Sequence, residues 1–532
     1  MLLFLIACAV DADKPDPGAD TDIRALPDCN ADLPAADGVV HTTSGAFSGV
    51  ATAGGSAWLG IPFAEPPVGD LRFRAPVPRA CVPGVTPADA FGPACPQLEA
   101  GAAIGEEDCL QLNVWAPEDA AGDLPVLVWV HGGGNVIGST SARSGDVAIY
   151  DGAALAERFG AVVVTTNYRL GALGFLAHEA LGAESGAAGD SGAWGLRDQL
   201  LALGWVRDNI AAFGGNPGRV LLFGESAGAV DTCALVTSPL GAGLFDAALL
   251  QSGGCLATPL AEAEASGAAH ATTLGCDTAV DIPACLRDLD VTALSGLSED
   301  PIGAYGIPGQ GGFGPVVDGV VLVQDPFDAL VAGAQNDVPL VVGANSDETS
   351  QWVPTLTDAE YEALVRGSVG RYAADVLALY PLTDFDTPRE AWVAVTTDAT
   401  FVCPARQIAR AAAESQTSPV YRYFFSNAPN GASGAAYGAW HGLEILFVFQ
   451  QLDAIVASTG YRADAGDYAV ESAMGAAWVA LAATGSPDAD ALPAAWPAYD
   501  PATDPYLDFG DPLAVGAGLR TARCDLWDEI GL

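Results

Sequence analysis

The stretch Val220-Leu221-Leu222-Phe223-Gly224-Glu225-Ser226-Ala227-Gly228-Ala229 leaves a chain few ways to fold. Four apolar residues without a polar interruption predict a strand buried on both faces, and the Gly-x-Ser-x-Gly that follows turns the backbone sharply into a helix. The serine backbone is strained at the tip of such a turn, and a side chain at Gly224 or Gly228 would strike the neighbouring strand or helix. Ser226 is thereby presented at the carboxyl end of a parallel sheet with a helix N-terminus behind it, the geometry of a nucleophile elbow.

An elbow requires a sheet to carry it. Short β-branched apolar runs recur at 126–130, 162–166, 247–250, 340–342 and 420–425. Helical stretches lie between them, such as 196–212 with apolar positions at Leu200, Leu203, Val206 and Ile210. Strand and helix in alternation predict a mostly parallel sheet covered on both faces. Hydrophobic residues make up 50% of the chain, and no linker-like run follows about residue 40. Residues 38–532 are therefore expected to form one large α/β domain with long insertions, beginning with an antiparallel hairpin over 39–59.

A serine hydroxyl attacks an acyl carbon only where one group takes its proton and another holds the oxyanion. Among the five histidines, His270 and His441 follow Ser226 with room for an acid between, which is the chain order of an α/β-hydrolase. His270 falls in an alanine-rich helical stretch, 261–273, and reads as a solvated surface residue. His441 lies in the glycine-flanked loop Tyr437-Gly438-Ala439-Trp440-His441-Gly442 and is the better general base. For the acid, Asp347 and Glu348 both stand just beyond the buried run 340–342, at the end of the sheet where the elbow lies, and spacing does not choose between them. The run 126–130 leads into His131-Gly132-Gly133-Gly134, whose glycines let backbone N–H groups approach a substrate oxygen.

Charge narrows the partners. Asp and Glu number 66 against 21 Lys and Arg, a formal net charge of −45, and Lys14 is the only lysine. So acidic a surface repels nucleic acid and anionic membranes. The N-terminus is different in kind. Residues 1–8 are apolar, and Leu5-Ile6-Ala7-Cys8 fits a lipobox in which Cys8 is lipidated, so they are expected to act as a lipoprotein signal segment and membrane anchor, although a basic n-region is missing. Residues 9–37, rich in Asp, Ala and Pro, are expected to form a flexible acidic tether. Export, to the cell envelope or beyond, agrees with the eleven cysteines, an even number of which remain to pair once Cys8 is set aside. Cys95 with Cys109, Cys276 with Cys285, and Cys403 with Cys524 could each close a loop. Cys29, Cys81, Cys233 and Cys255 are left, with their pairing open.

Seven blocks in order resemble the type-B carboxylesterase and cholinesterase family. They are Phe63-Ala64-Glu65-Pro66-Pro67, Glu107-Asp108-Cys109-Leu110-Gln111-Leu112-Asn113, His131-Gly132-Gly133-Gly134, Asn167-Tyr168-Arg169-Leu170-Gly171, Phe213-Gly214-Gly215-Asn216-Pro217, 224–228 and Trp440-His441-Gly442-Leu443-Glu444. The likeness runs from about Val39 to the C-terminus. It implies an α/β-hydrolase fold and hydrolysis of a small-molecule carboxylic ester through an acyl-enzyme, with no metal or organic cofactor. Ser226 would be the nucleophile, Glu348 the acid, His441 the base, and the N–H groups of Gly133, Gly134 and Ala227 the oxyanion donors. The resemblance further implies disulfides Cys95–Cys109 and Cys276–Cys285, an ion pair between Arg72 and Glu107, and a Glu225 that tunes the field of the site.

Two departures bear on substrate. Cholinesterases carry, inside the first disulfide loop, a tryptophan that attracts quaternary ammonium, whereas no aromatic residue lies between Cys95 and Cys109 here. Where cholinesterases narrow the acyl pocket with phenylalanines, just before Pro315-Val316-Val317-Asp318-Gly319, this chain has Gly309, Gly311 and Gly312. Choline esters are disfavoured and bulkier acyl groups are expected to fit. The rival readings are a non-catalytic adhesion or binding protein on the same fold, whose members lack the nucleophile, and an amidase or acyltransferase with the same triad.

Overall fold

Val220–Phe223 are each no more than 1% exposed, because the strand that contains them, Gly215–Glu225, has parallel neighbours on both sides. The computed structural model describes residues 29, 30, 33, 36, 38–118, 120, 122–185, 190–297, 312–459 and 461–531. Cys8, the residues up to 28, Gly309 and Gly311 lie outside them.

The strand belongs to an 11-stranded sheet. On one side of it stand Ala247–Gln251, Leu340–Asn345, Val420–Phe425 and Pro505–Phe509, all parallel. On the other stand Leu124–Val130 and Val162–Thr166, also parallel. Antiparallel strands close both flanks: Ala514–Ala517 at one, and Gln111–Pro117, Gly55–Pro62 and Val50–Ala51 at the other. The expected runs are thus all strands, and the central ones are apolar on both faces because helices cover both. Leu222 and Val128 pack into one hydrophobic cluster, Leu221 and Leu127 into another on the opposite face. The leading segment makes a hairpin, Val39–Thr42 with Gly45–Ser48.

Five disulfides fasten the peripheral chain. Cys95–Cys109, Cys276–Cys285 and Cys403–Cys524 form as expected, and the four remaining cysteines pair as Cys29–Cys81 and Cys233–Cys255. Of the tether expected over 9–37, residues 9–28 lie outside the described residues, and the Cys29–Cys81 disulfide ties down the part at Cys29 and Asn30. Cys29 is cross-linked to the body, and the buried Asn30 donates to the Val82 carbonyl at 2.9 Å and accepts from Gly84 N–H at 2.8 Å. The expected ion pair is bidentate, Arg72 Nε to Glu107 Oε1 at 2.5 Å and Nη2 to Oε2 at 2.6 Å. Arg72 Nη1 also donates to the carbonyls of Arg287 and Leu289, which pins the segment next to the Cys276–Cys285 loop.

Candidate active site

Ser226 has φ 57° and ψ −124°, a conformation that an L-residue holds only under compulsion from its surroundings. The compulsion is visible. Its N–H donates to the carbonyl of Gln251 at 2.8 Å, at the end of the adjacent strand. The helix Ala227–Thr237 begins at the next residue. A Cβ on Gly228 would fall on the Val130 carbonyl, and one on Gly224 on the Gly228 carbonyl. Both glycines are therefore required by close backbone approach.

The candidate acid and base follow neighbouring strands, Glu348 just after Leu340–Asn345 and His441 beyond Val420–Phe425 and the helix Ala432–Tyr437. Glu348, fully buried, follows Leu340–Asn345 and opens the short 3-10 turn Glu348–Gln351. Its Oε1 accepts the Asn345 N–H at 2.7 Å, and its Oε2 lies 2.6 Å from His441 Nδ1. The backbone repeats the link, His441 N–H donating to the Glu348 carbonyl at 3.2 Å. Asp347, the other candidate, is turned away. It accepts from Ser346 Oγ at 2.5 Å and from Ala439 N–H at 3.2 Å, and so supports the loop that carries the histidine. Phe401 and Trp352 pack against the His441 ring, with centroids 5.0 and 5.4 Å away. Nδ1 is engaged by Glu348, and Nε2 is buried without a hydrogen-bond partner.

Sequence reasoning assigned Glu225 only a field. Its Oε1 in fact lies 3.1 Å from His441 Nε2, although the pair is not aligned as a hydrogen bond. Glu444 closes the block Trp440–Glu444, which by itself implies no role for it. It is fully buried, accepts from Asn345 Nδ2 at 2.5 Å and Gln251 Nε2 at 3.1 Å, and joins the cluster from below. Burial raises the pKa of both carboxyls, with the His441 charge acting against it. Burial works against charging the imidazole, but Glu225 and Glu348 outweigh it and hold the His441 pKa above its ordinary value. The block that ends in Glu444 does not disclose its contacts, because the partners are about 100 and 190 residues distant along the chain.

The glycine loop reaches the same cavity, which Gly134 lines beside Ser226. Gly133 and Gly134 have φ 107° and 62°, which glycine alone adopts freely. His131 is buried, and desolvation lowers its pKa to about 4, so the ring is neutral. Its face stacks on Tyr168, 4.6 Å between centroids. As the first residue of its helix, Ala227 has an N–H with no intrahelical acceptor.

Gly134, Ser226 and Ala227 line one cavity of about 340 Å³, together with Val230, Leu256 and Phe401. Gly312 lines it as expected, but Phe313 does too, so the acyl side is not bare of aromatic rings. His270 corrects another expectation. The helix Leu260–Thr273 carries it half-buried, stacked on Phe313 with 5.4 Å between centroids, in the wall of an adjoining cavity of about 400 Å³.

Sheet order, elbow and carboxylate-bound imidazole define an α/β-hydrolase. The chain belongs to the carboxylesterase family, which matches residues 36–527. It is 40% identical over 499 residues to the fumonisin B1 esterase of Sphingopyxis macrogoltabida, covering 90% of this chain and 88% of that one. It is 33% identical over 499 residues to the para-nitrobenzyl esterase of Bacillus subtilis, covering 90% and 96%. A solved PNB esterase structure superposes with a TM-score of 0.77 at 31% identity, covering 92% of this chain and 98% of the other. The chain is accordingly an enzyme of carboxylic ester hydrolysis.

Proposed function

We propose that hydrolysis proceeds through an acyl-enzyme on Ser226, with His441 as the base and Glu348 as the group that orients it. The observation that carries this reading is the 2.6 Å contact between Glu348 Oε2 and His441 Nδ1, which leaves Nε2 as the nitrogen free to exchange a proton. The Ser226 oxygen attacks the acyl carbon while its proton passes to Nε2. The developing oxyanion accepts the N–H groups of Gly133, Gly134 and Ala227, each worth about 3 kcal/mol of barrier. Nε2 then returns the proton to the leaving alcohol, and water repeats the sequence to free the acid.

The substrate is an uncharged ester with an acyl group larger than acetyl. Val230, Leu256, Ala257, Phe313 and Phe401 supply an apolar lining, which supports this reading, as does the absence of a phenylalanine at Gly312. Export is part of the same reading, supported by five disulfides that a reducing cytosol would oppose. Lipidation of Cys8 would then hold the enzyme at the cell envelope.

The test is a rate series on p-nitrophenyl esters from acetyl to dodecanoyl, beside Ser226→Ala. Turnover lost in the variant and greatest beyond acetyl is expected. Turnover retained by Ser226→Ala would overturn the assignment of the nucleophile.

A further inference from the structure

The oxyanion donors come from two separate elements, the glycine loop after Leu124–Val130 and the helix Ala227–Thr237 after the elbow. Something must fix one against the other to within a fraction of an ångström, since donor strength depends steeply on geometry. Asn135, the residue after Gly134, stands in the left-handed region at φ 58°, which a non-glycine residue adopts at an energetic cost. Every polar group of its side chain is engaged. Oδ1 accepts from Tyr168 Oη at 3.0 Å, and Nδ2 donates to Asp231 Oδ1 at 3.0 Å. Its carbonyl accepts the Gly171 N–H at 2.6 Å.

Asp231 lies on the helix of Ala227 and has no exposed surface. Its second oxygen accepts from Gln199 Nε2 at 2.6 Å. Both partners are neutral amides, so the carboxyl is buried among hydrogen bonds without a cation, an expensive arrangement. Desolvation raises its pKa to about 7, with the bonds from Gln199 and Asn135 acting against that. The mechanism above does not use this group.

We propose that Asp231 is a positioning residue that clamps the glycine loop of Gly133 and Gly134 to the helix of Ala227, and so sets the oxyanion site. This rests on the acyl-enzyme reading. The clamp requires an acceptor at position 231 rather than a charge. In Asp231→Asn the new Oδ1 still accepts from Asn135, and the new amide donates to Gln199 Oε1 once that side chain turns over. In Asp231→Ala the Asn135 amide is left buried and unpaired.

The experiment compares the wild type, Asp231→Asn, Asp231→Ala, Asn135→Ala and the double alanine variant. It reads kcat and KM on p-nitrophenyl butyrate, and inhibition by an aryl trifluoromethyl ketone, which forms an oxyanion on the serine. Fluorophosphonate labelling counts active serines, so that rates are expressed per active site. Asp231→Ala is expected to lower kcat about tenfold to a hundredfold and to weaken the ketone by a similar factor, with KM within about twofold. Asp231→Asn is expected to stay near wild type, and the double variant to be no worse than the worse single. Unchanged kcat and ketone affinity per labelled site in Asp231→Ala would overturn the clamp, as would a rise in KM alone. If Asp231→Ala does not fold, Asn135→Ala and Asp231→Asn decide in its place: an unimpaired Asn135→Ala, or an Asp231→Asn as impaired as a lost clamp predicts, overturns the proposal. A wild type that turns over the ester but is not labelled at Ser226 would instead sink the acyl-enzyme reading, and the clamp with it.

Discussion

His441 is held between two carboxylates, with Nδ1 2.6 Å from Glu348 Oε2 and Nε2 3.1 Å from Glu225 Oε1. Burial alone would lower the pKa of the ring, and the two negative charges raise it. A base must be neutral to take the Ser226 proton, so kcat/KM rises with pH through the pKa of His441. Replacing Glu225 by Gln removes one raising charge. The rising limb is expected to move to lower pH by about one unit, read from a kcat/KM profile on an uncharged ester. A limb that stays in place would show that Glu225 does not govern the ring.

The two adjacent acids separate by mutation. Glu348→Gln is expected to lower kcat by about 10⁴, since the imidazole loses both its orientation and its stabilising charge. Asp347→Asn weakens the bonds with the Ser346 hydroxyl and the Ala439 N–H and removes a charge near Arg520, none of which reaches the imidazole. Its kcat is expected to remain within about tenfold of wild type. Steady-state rates on one ester decide, and equal losses would contradict the assignment of Glu348.

The strained backbone at Ser226 predicts a trade of activity for stability. Both Ser226→Ala and Ser226→Gly remove the hydroxyl, but only glycine accepts φ 57° without strain. The glycine variant is expected to be the more stable of the two by about 1 kcal/mol. Denaturant midpoints measure it, and an alanine variant of equal or greater stability would show that the turn is relaxed.

The disulfides are expected to differ in worth according to the chain they close. Cys403–Cys524 spans 121 residues and Cys276–Cys285 only 9. On loop entropy alone, paired serine substitutions should cost about 5 kcal/mol at the first and about 2.5 kcal/mol at the second. Thermal midpoints of the two double variants should fall in that order.

Much of this was legible in the residues. Buried apolar runs named the central strands because strands covered on both faces admit no polar alternation, and the glycines at 224 and 228 named the elbow because nothing larger fits there. Spacing left Asp347 and Glu348 open, and only the family resemblance pointed to Glu348. The choice depends on the turn that opens at Glu348 and on an extra methylene that brings the longer carboxylate to the ring. The contacts of Asp231 and Glu444 were hidden because their partners are remote in sequence, and the same holds for the stacking of His270 on Phe313. Amphipathic spacing tells which face of a helix is exposed, not which loop returns to cover it.

The strands Ala247–Gln251 and Leu340–Asn345 are hydrogen-bonded neighbours, yet 252–339 intervenes between them. That excursion leaves the sheet and returns to it at adjacent positions, carrying Leu256, Phe313 and the Cys276–Cys285 loop on the way. The proposed reacting groups stay outside it, on the elbow, after Leu340–Asn345 and beyond Val420–Phe425. Part of the cavity wall is thus carried by a stretch of chain separate from the proposed reacting groups, and Val230 and Phe401 complete it from the frame. Substitutions in that detour would reshape part of the cavity wall while leaving the strands that carry Ser226 and Glu348 untouched.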